Sequence, residues 1–116
     1  ATARRESAAL LLRILAPALS AQKAVLLIGD LNAEPGSEPI CMLARSLSDA
    51  CPRRARGEAS FNGFEPDSEA TKRIDYIWHS PRRWKRDDFR TMHPKVHGRQ
   101  ASDHFMLVAR LRLTGR

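Results

Sequence analysis

The stretch LLIGDLNAEPGSEPI, Leu26 to Ile40, decides how the rest of the chain is read. An unbroken apolar run, Ala24 to Ile28, leads straight into Gly29-Asp30-Leu31-Asn32. A run of this kind without alternation has the pattern of a strand covered on both faces. Residues two apart at a strand end project to the same side. Asp30 and Asn32 therefore stand together at the rim of a sheet, where α/β folds collect their ligands. Gly29 lets the backbone turn there or lets a ligand come close. Asp and Asn after a strand are also ordinary turn formers, so both readings stay open for this stretch alone.

On the amino-terminal side, Ala8, Leu11, Leu12, Leu15 and Leu19 recur at spacings of three and four. That periodicity predicts an amphipathic helix from Arg4 to about Leu19, ended or kinked near its last turn by Pro17. On the other side, Ser37 is placed to cap a short second helix with Pro39 in its first turn and with Ile40, Leu43, Ala44 and Leu47 facing inward. From Asp49 to Glu69 the residues are mostly Pro, Gly, Ser and charges. This predicts loop, with Phe61 and Phe64 as its anchors. Strands are expected over Ile74 to Trp78, stopped by Ser80-Pro81, over Trp84 to Met92, and over Phe105 to Leu113. In the last of these, Phe105, Leu107, Ala109, Leu111 and Leu113 share one face, while Arg110 and Arg112 share the other.

Length and composition set the bounds. The 116 residues suit one domain with a modest core. No apolar run is long enough to cross a bilayer, and since Arg4, Arg5 and Glu6 lead into a helical pattern and not an apolar stretch, no secretory signal is expected in this sequence. Because the sequence opens at Ala1 directly on a helix, it is expected to begin partway through something longer. The formal charge of +7 and pI near 10.4 favour an anionic partner. Arg53, Arg54, Arg56, Lys72, Arg73, Arg82, Arg83, Lys85 and Arg86 fall in clusters that suit one. The competing reading is a set of solvated loops in an arginine-rich composition. Cys41 and Cys51 are too few for a disulfide framework and lack the spacing of a metal site. As ordinary thiols they favour a reducing compartment such as the cytoplasm.

Two further stretches carry chemistry. In Arg73-Ile74-Asp75-Tyr76-Ile77-Trp78 a lone Asp interrupts an apolar strand. Burying a carboxylate is costly unless it is paired or hydrogen-bonded. Asp75 is thus either a satisfied structural residue or the group that orients a histidine. In Ser102-Asp103-His104 two ionisable side chains open the last strand, a place for a metal ligand and a proton-transfer group that titrates near neutrality. His79, His93 and His97 have no carboxylate neighbour in sequence and are expected at the surface.

Taken in order, GDLN after a strand, RIDYIW on a later strand and SDHF opening the last one resemble the endonuclease/exonuclease/phosphatase superfamily of DNase I-like metal-dependent phosphoesterases. Ser60-Phe61-Asn62-Gly63-Phe64 is similar to a bacterial branch of the group. The resemblance extends from Arg4 to Leu113 and implies a Mg²⁺- or Mn²⁺-dependent hydrolase of phosphomonoesters or phosphodiesters. Carried over by position, it makes Asp30, Asn32, Asp75 and His104 catalytic. Asn32, His104 and Arg73 would bind substrate, and Asp103 and Asp30 would serve the metal. Asp30 would position or deprotonate the attacking water; His104 would contact the phosphate or act as base, with Asp75 fixing its tautomer.

The same resemblance implies an α/β fold, half of a four-layer α/β sandwich. This chain would be its carboxy-terminal portion, with one mixed, mainly antiparallel sheet and covering helices, and without the family's principal metal-binding Glu. The inner sheet face would then lie bare, so the chain is expected to pair with an amino-terminal half or to self-associate, and to be inactive alone. The alternative function is a noncatalytic module of the same fold that binds a polyanion, such as nucleic acid, or a protein. Substrate class is left open among nucleic acid, sugar or inositol phosphates and phospholipid head groups.

Overall fold

The computed structural model describes residues 2–65 and 72–115. Helix α1 spans Thr2–Ser20, strand β1 Leu26–Asp30 and helix α2 Glu38–Ala44. A two-residue strand β2, Ser48–Asp49, and a 3₁₀ turn, Arg53–Ala55, follow. Strand β3 runs Asp75–His79, β4 Trp84–Met92, β5 Lys95–Val96, β6 Arg99–Gln100 and β7 Met106–Leu113. Of the stretch expected as loop, positions 66–69 lie outside the described residues.

Pro17 does not end α1; the helix continues one turn to Ser20. Near a helix end its ring costs only one backbone bond, and its own carbonyl still accepts the amide of Ala21 at 3.1 Å. Ser37 stands at the start of α2 as expected, but its hydroxyl donates to the Glu34 carbonyl at 2.6 Å instead of capping the helix.

All the described ladders are antiparallel. The sheet expected as one piece is divided: β1, β3 and β2 form a three-stranded sheet with β3 central, β4 pairs with β7, and β5 with β6 form a small hairpin. In the first ladder Leu26 stands opposite His79, Ile28 opposite Ile77 and Asp30 opposite Asp75, with Leu27 opposite Trp78 and Gly29 opposite Tyr76 between them. Cross-strand partners share a face. Leu27, Tyr76 and Trp78 therefore look to one side, and Leu26, Ile28, Ile77, Asp30 and Asp75 to the other.

The first side is covered by both helices. Tyr76 and Trp78 pack with Ala8, Leu12, Leu15 and Leu19 of α1 and with Ile40, Leu43 and Leu47 in and just after α2, and the two aromatic rings stack at 5.5 Å. On the second side Ile77 joins Ala50, Cys51, Ala55 and Phe89, against which Leu107, Ala109 and Leu111 of β7 pack. That cover stops short of β1. Leu26 is 44% and Ile28 63% exposed, so the strand expected to be covered on both faces is covered on one. Cys41 is exposed and Cys51 buried, both free thiols. Burial pushes the Cys51 thiol up from its ordinary pKa.

Candidate active site

The end of β1 and the start of β3 bring Asp30 and Asp75 opposite each other on the open side of the sheet. GDLN forms a turn. One oxygen of Asp30 accepts the Asn32 amide at 2.8 Å, and Asn32 sits at φ +48, a left-handed conformation that Asn tolerates better than most residues. The other oxygen, Oδ2, is free of that turn and lies 4.0 Å from Nε2 of His104. Tyr76, buried beneath, donates its hydroxyl to the Ala33 carbonyl at 2.7 Å and pins the chain just past Asn32.

Asp75 is paired with a histidine. His104 Nδ1 lies 2.8 Å from its Oδ2. Against a carboxylate, which only accepts, this nitrogen carries the proton, and Nε2 is turned toward Asp30. Two backbone amides, those of Ile74 and Asp75, donate to the hydroxyl of Ser60 at 2.9 Å each. That hydroxyl, on a residue 1% exposed, locks the strand entry that presents Asp75. Phe61 and the imidazole meet edge to face, with ring centroids 5.2 Å apart. The hydrogen bond to Asp75 raises the His104 pKa above its ordinary value. Partial burial opposes this, and the negative charges of Asp75, Asp103 and Asp30 add to the rise.

The loop that delivers His104 is held from the S-F-N-G-F stretch. Asn62, with no exposed surface, donates its side-chain amide to the Ser102 carbonyl at 3.1 Å and its backbone amide to the Asp103 carbonyl at 2.7 Å. Gly63 donates to the same carbonyl at 3.2 Å, and Phe105 donates to the Ser60 carbonyl at 2.7 Å. Asp103 thus contributes its backbone to the scaffold and its charge to His104. Among the described residues, the carboxylate and imidazole groups close enough to share an ion are Asp30, Asp75 and His104, whose ligand atoms lie within 4.8 Å of one another; Asp103 is outside that set.

Strand alternation separates the two basic residues ahead of Asp75. Arg73, expected at the substrate, is 8% exposed. Its guanidinium bonds Asp49 at 2.6 Å and lies over the Tyr76 ring at 4.7 Å, so its charge is spent inside the protein. Lys72 is exposed, lies 5.9 Å above the Phe61 ring and, with Asn32, lines a cleft of about 300 Å³ that also takes in Arg4, Glu34, Ser37 and Ile74. Ser60, Asn62 and Lys72 were not singled out for the site in the sequence. A buried polar residue in a loop leaves no periodic signal, and the register that turns Lys72 outward depends on Ser60.

The sequence profile described as the Endonuclease/Exonuclease/phosphatase family matches residues 1–104. The chain belongs to the endonuclease/exonuclease/phosphatase family. Among solved structures, a functionally unknown conserved protein from Enterococcus faecalis is similar over 97% of this chain and 45% of its own, with 27% identity and a TM-score of 0.82. A mannosyl-6-phosphatase from Bacteroides thetaiotaomicron shares the fold over 96% of this chain and 46% of its own, at 23% identity and a TM-score of 0.76. An endonuclease/exonuclease/phosphatase family protein from the same organism gives 95%, 44%, 24% and 0.75 in the same order. No curated protein matches this sequence. The chain therefore spans about half the length of the solved family structures it matches, as expected for half of the α/β sandwich. No helix among the described residues is long and apolar enough to cross a membrane.

Proposed function

We propose that this chain supplies the hydrolytic wall of a divalent-metal-dependent phosphoesterase site, cleaving a phosphomonoester or phosphodiester. The observation that carries the reading is His104 held between two carboxylates, at 2.8 Å from Asp75 and 4.0 Å from Asp30. Asp75 keeps the proton on Nδ1 and favours the imidazolium, so His104 presents Nε2–H to a phosphate oxygen. Asp30, with one oxygen anchored in the turn and the other open, positions the attacking water. Asn32 donates to a second phosphate oxygen, and Lys72 adds a positive charge at the rim of the cleft.

The donor set fits a hard dication such as Mg²⁺ or Mn²⁺. Asp30 offers an oxygen on a side chain 47% exposed, whereas Nδ1 of His104 and Oδ2 of Asp75 are already paired with each other. Asp30 would hold the ion, with Asp103 adding its negative charge nearby and the remaining oxygen ligands coming from water, substrate and protein beyond this chain. When bound, it would neutralise charge developing on the phosphate. Activity is expected to need the rest of the family domain, seated on the bare face that carries Leu26 and Ile28. The test is to mix the chain with a separately expressed amino-terminal half of a family member and assay bis(4-nitrophenyl) phosphate with Mg²⁺. Hydrolysis dependent on both halves and on Asp30 supports the reading; demonstrated association without hydrolysis overturns it.

A further inference from the structure

Phe64 was expected to anchor its loop from the inside, yet it is 62% exposed. Its backbone is at φ +64, next to Gly63 at φ +58, in a tight turn closed by the Glu65 amide on the Asn62 carbonyl at 2.8 Å. For a bulky residue this conformation is costly, and a ring left in solvent recovers little of that cost by burial. Packing within the described residues therefore does not explain the side chain. Its backbone is tied to the site: the Phe64 amide donates to Oδ1 of Asn62 at 2.7 Å, while the same Asn62 grips Ser102 and Asp103, which carry His104. One buried amide thus fixes the aromatic turn and the catalytic loop in register. Strained, over-determined positions of this kind gather at functional sites.

We infer that Phe64 is a substrate-positioning residue whose ring stacks on the face of a ring-bearing leaving group while the phosphate lies at His104 and Asn32. This rests on the phosphoesterase reading. The ligand chemistry is a flat or C–H-lined ring face joined to a phosphate, available from a nucleotide or from a pyranose phosphate.

The test is an NMR titration of the chain with inorganic phosphate, glycerol 3-phosphate, mannose 6-phosphate and adenosine 5′-monophosphate, following the His104 imidazole and the Phe64 ring. All four are expected to shift His104, and only ring-bearing esters to shift Phe64. Phe64→Ala should weaken the ring-bearing ligands roughly tenfold without moving the affinity for inorganic phosphate, and Phe64→Tyr should restore them. Phe64→Gly should lose the same affinity while raising Tm, which a structural role for the ring would not produce. Between adenosine and mannose esters, the one that loses more on Phe64→Ala identifies the ring. Shifts at His104 that are equal for all four ligands and indifferent to Phe64→Ala overturn the inference and leave the phosphate site standing. No shift at His104 with any of them overturns both.

Discussion

The two faces of the β1–β3 ladder are built from alternate residues of the same strands, and they differ in almost every physical respect. On the helix side Leu27, Tyr76 and Trp78 face a closed apolar core. On the other side Leu26 and Ile28 lie in solvent, and the row ends in Asp30 and Asp75. The sheet is thus covered along its whole helix-side face, whereas on the other face the cover reaches Ile77 of β3 and stops short of β1, beside the candidate site. Whatever covers Leu26 and Ile28 also walls the site, because Asp30 continues the same row.

The largest expected effect lies on the closed side. Trp78→Ala would remove a side chain 2% exposed that stacks on Tyr76, at a cost of about 3–5 kcal/mol. Urea unfolding measures it, and a loss under about 1 kcal/mol would mean that the helix-side core is not what holds the chain together.

Next come the neighbours Arg73 and Lys72, which divide the two roles along a strand entry. Arg73→Ala would leave Asp49 inside without its partner and should cost about 3 kcal/mol. Lys72→Ala should change stability by less than about 0.5 kcal/mol but weaken phosphate binding to the chain several-fold. If both variants lose stability alike, the inward and outward assignment is wrong.

That pair also shows where legibility ended. GDLN, RIDYIW and SDHF located Asp30, Asp75 and His104 because strand periodicity and carboxylates in apolar runs are local signals. Choosing Arg73 over Lys72 depended on which way the entry to β3 turns. That is set by Ser60 accepting two amides from fifteen or fewer residues away in sequence, a contact with no periodic trace. Phe61 and Phe64 looked alike as loop aromatics; the tight turn after Asn62 sends one against His104 and the other into solvent. Several of the exposed arginines also bond groups of this chain. Arg54, Arg56 and Arg86 bond backbone carbonyls, and Arg90 and Arg112 bond Asp88 and Asp87.

At the open end of the ladder, Asp75→Asn should lower the His104 pKa by removing the hydrogen bond and charge that raise it. It should also cut the activity of the completed enzyme by about 10²–10⁴-fold. A raised folded-state pKa contributes stability that is fully present below the unfolded value near 6.5 and is lost as pH rises through the folded value. The variant should thus fall furthest behind the parent in stability at acid pH and converge with it above the His104 titration. With the imidazole side chain 30% exposed, the difference should stay under about 1 kcal/mol. An NMR titration of the His104 ring checks the direction; a pKa unchanged in Asp75→Asn would remove Asp75 from the site.

The smallest effect on folding is expected from the bare face, and it separates the two sides most cleanly. Leu26→Ser with Ile28→Ser alters side chains already 44% and 63% exposed, so the unfolding midpoint of the isolated chain should move by less than about 0.5 kcal/mol per site. Association should respond strongly, because these side chains form the apolar part of the uncovered row. Sedimentation velocity is expected to show the parent chain self-associating or capturing an amino-terminal family half, and the double variant as a monomer that captures nothing. A parent chain that stays monomeric and leaves that half unbound would show that the open face is finished as it stands. The completed site would then have to be sought on the β4–β7 side, where Met106 and Val108 are also exposed.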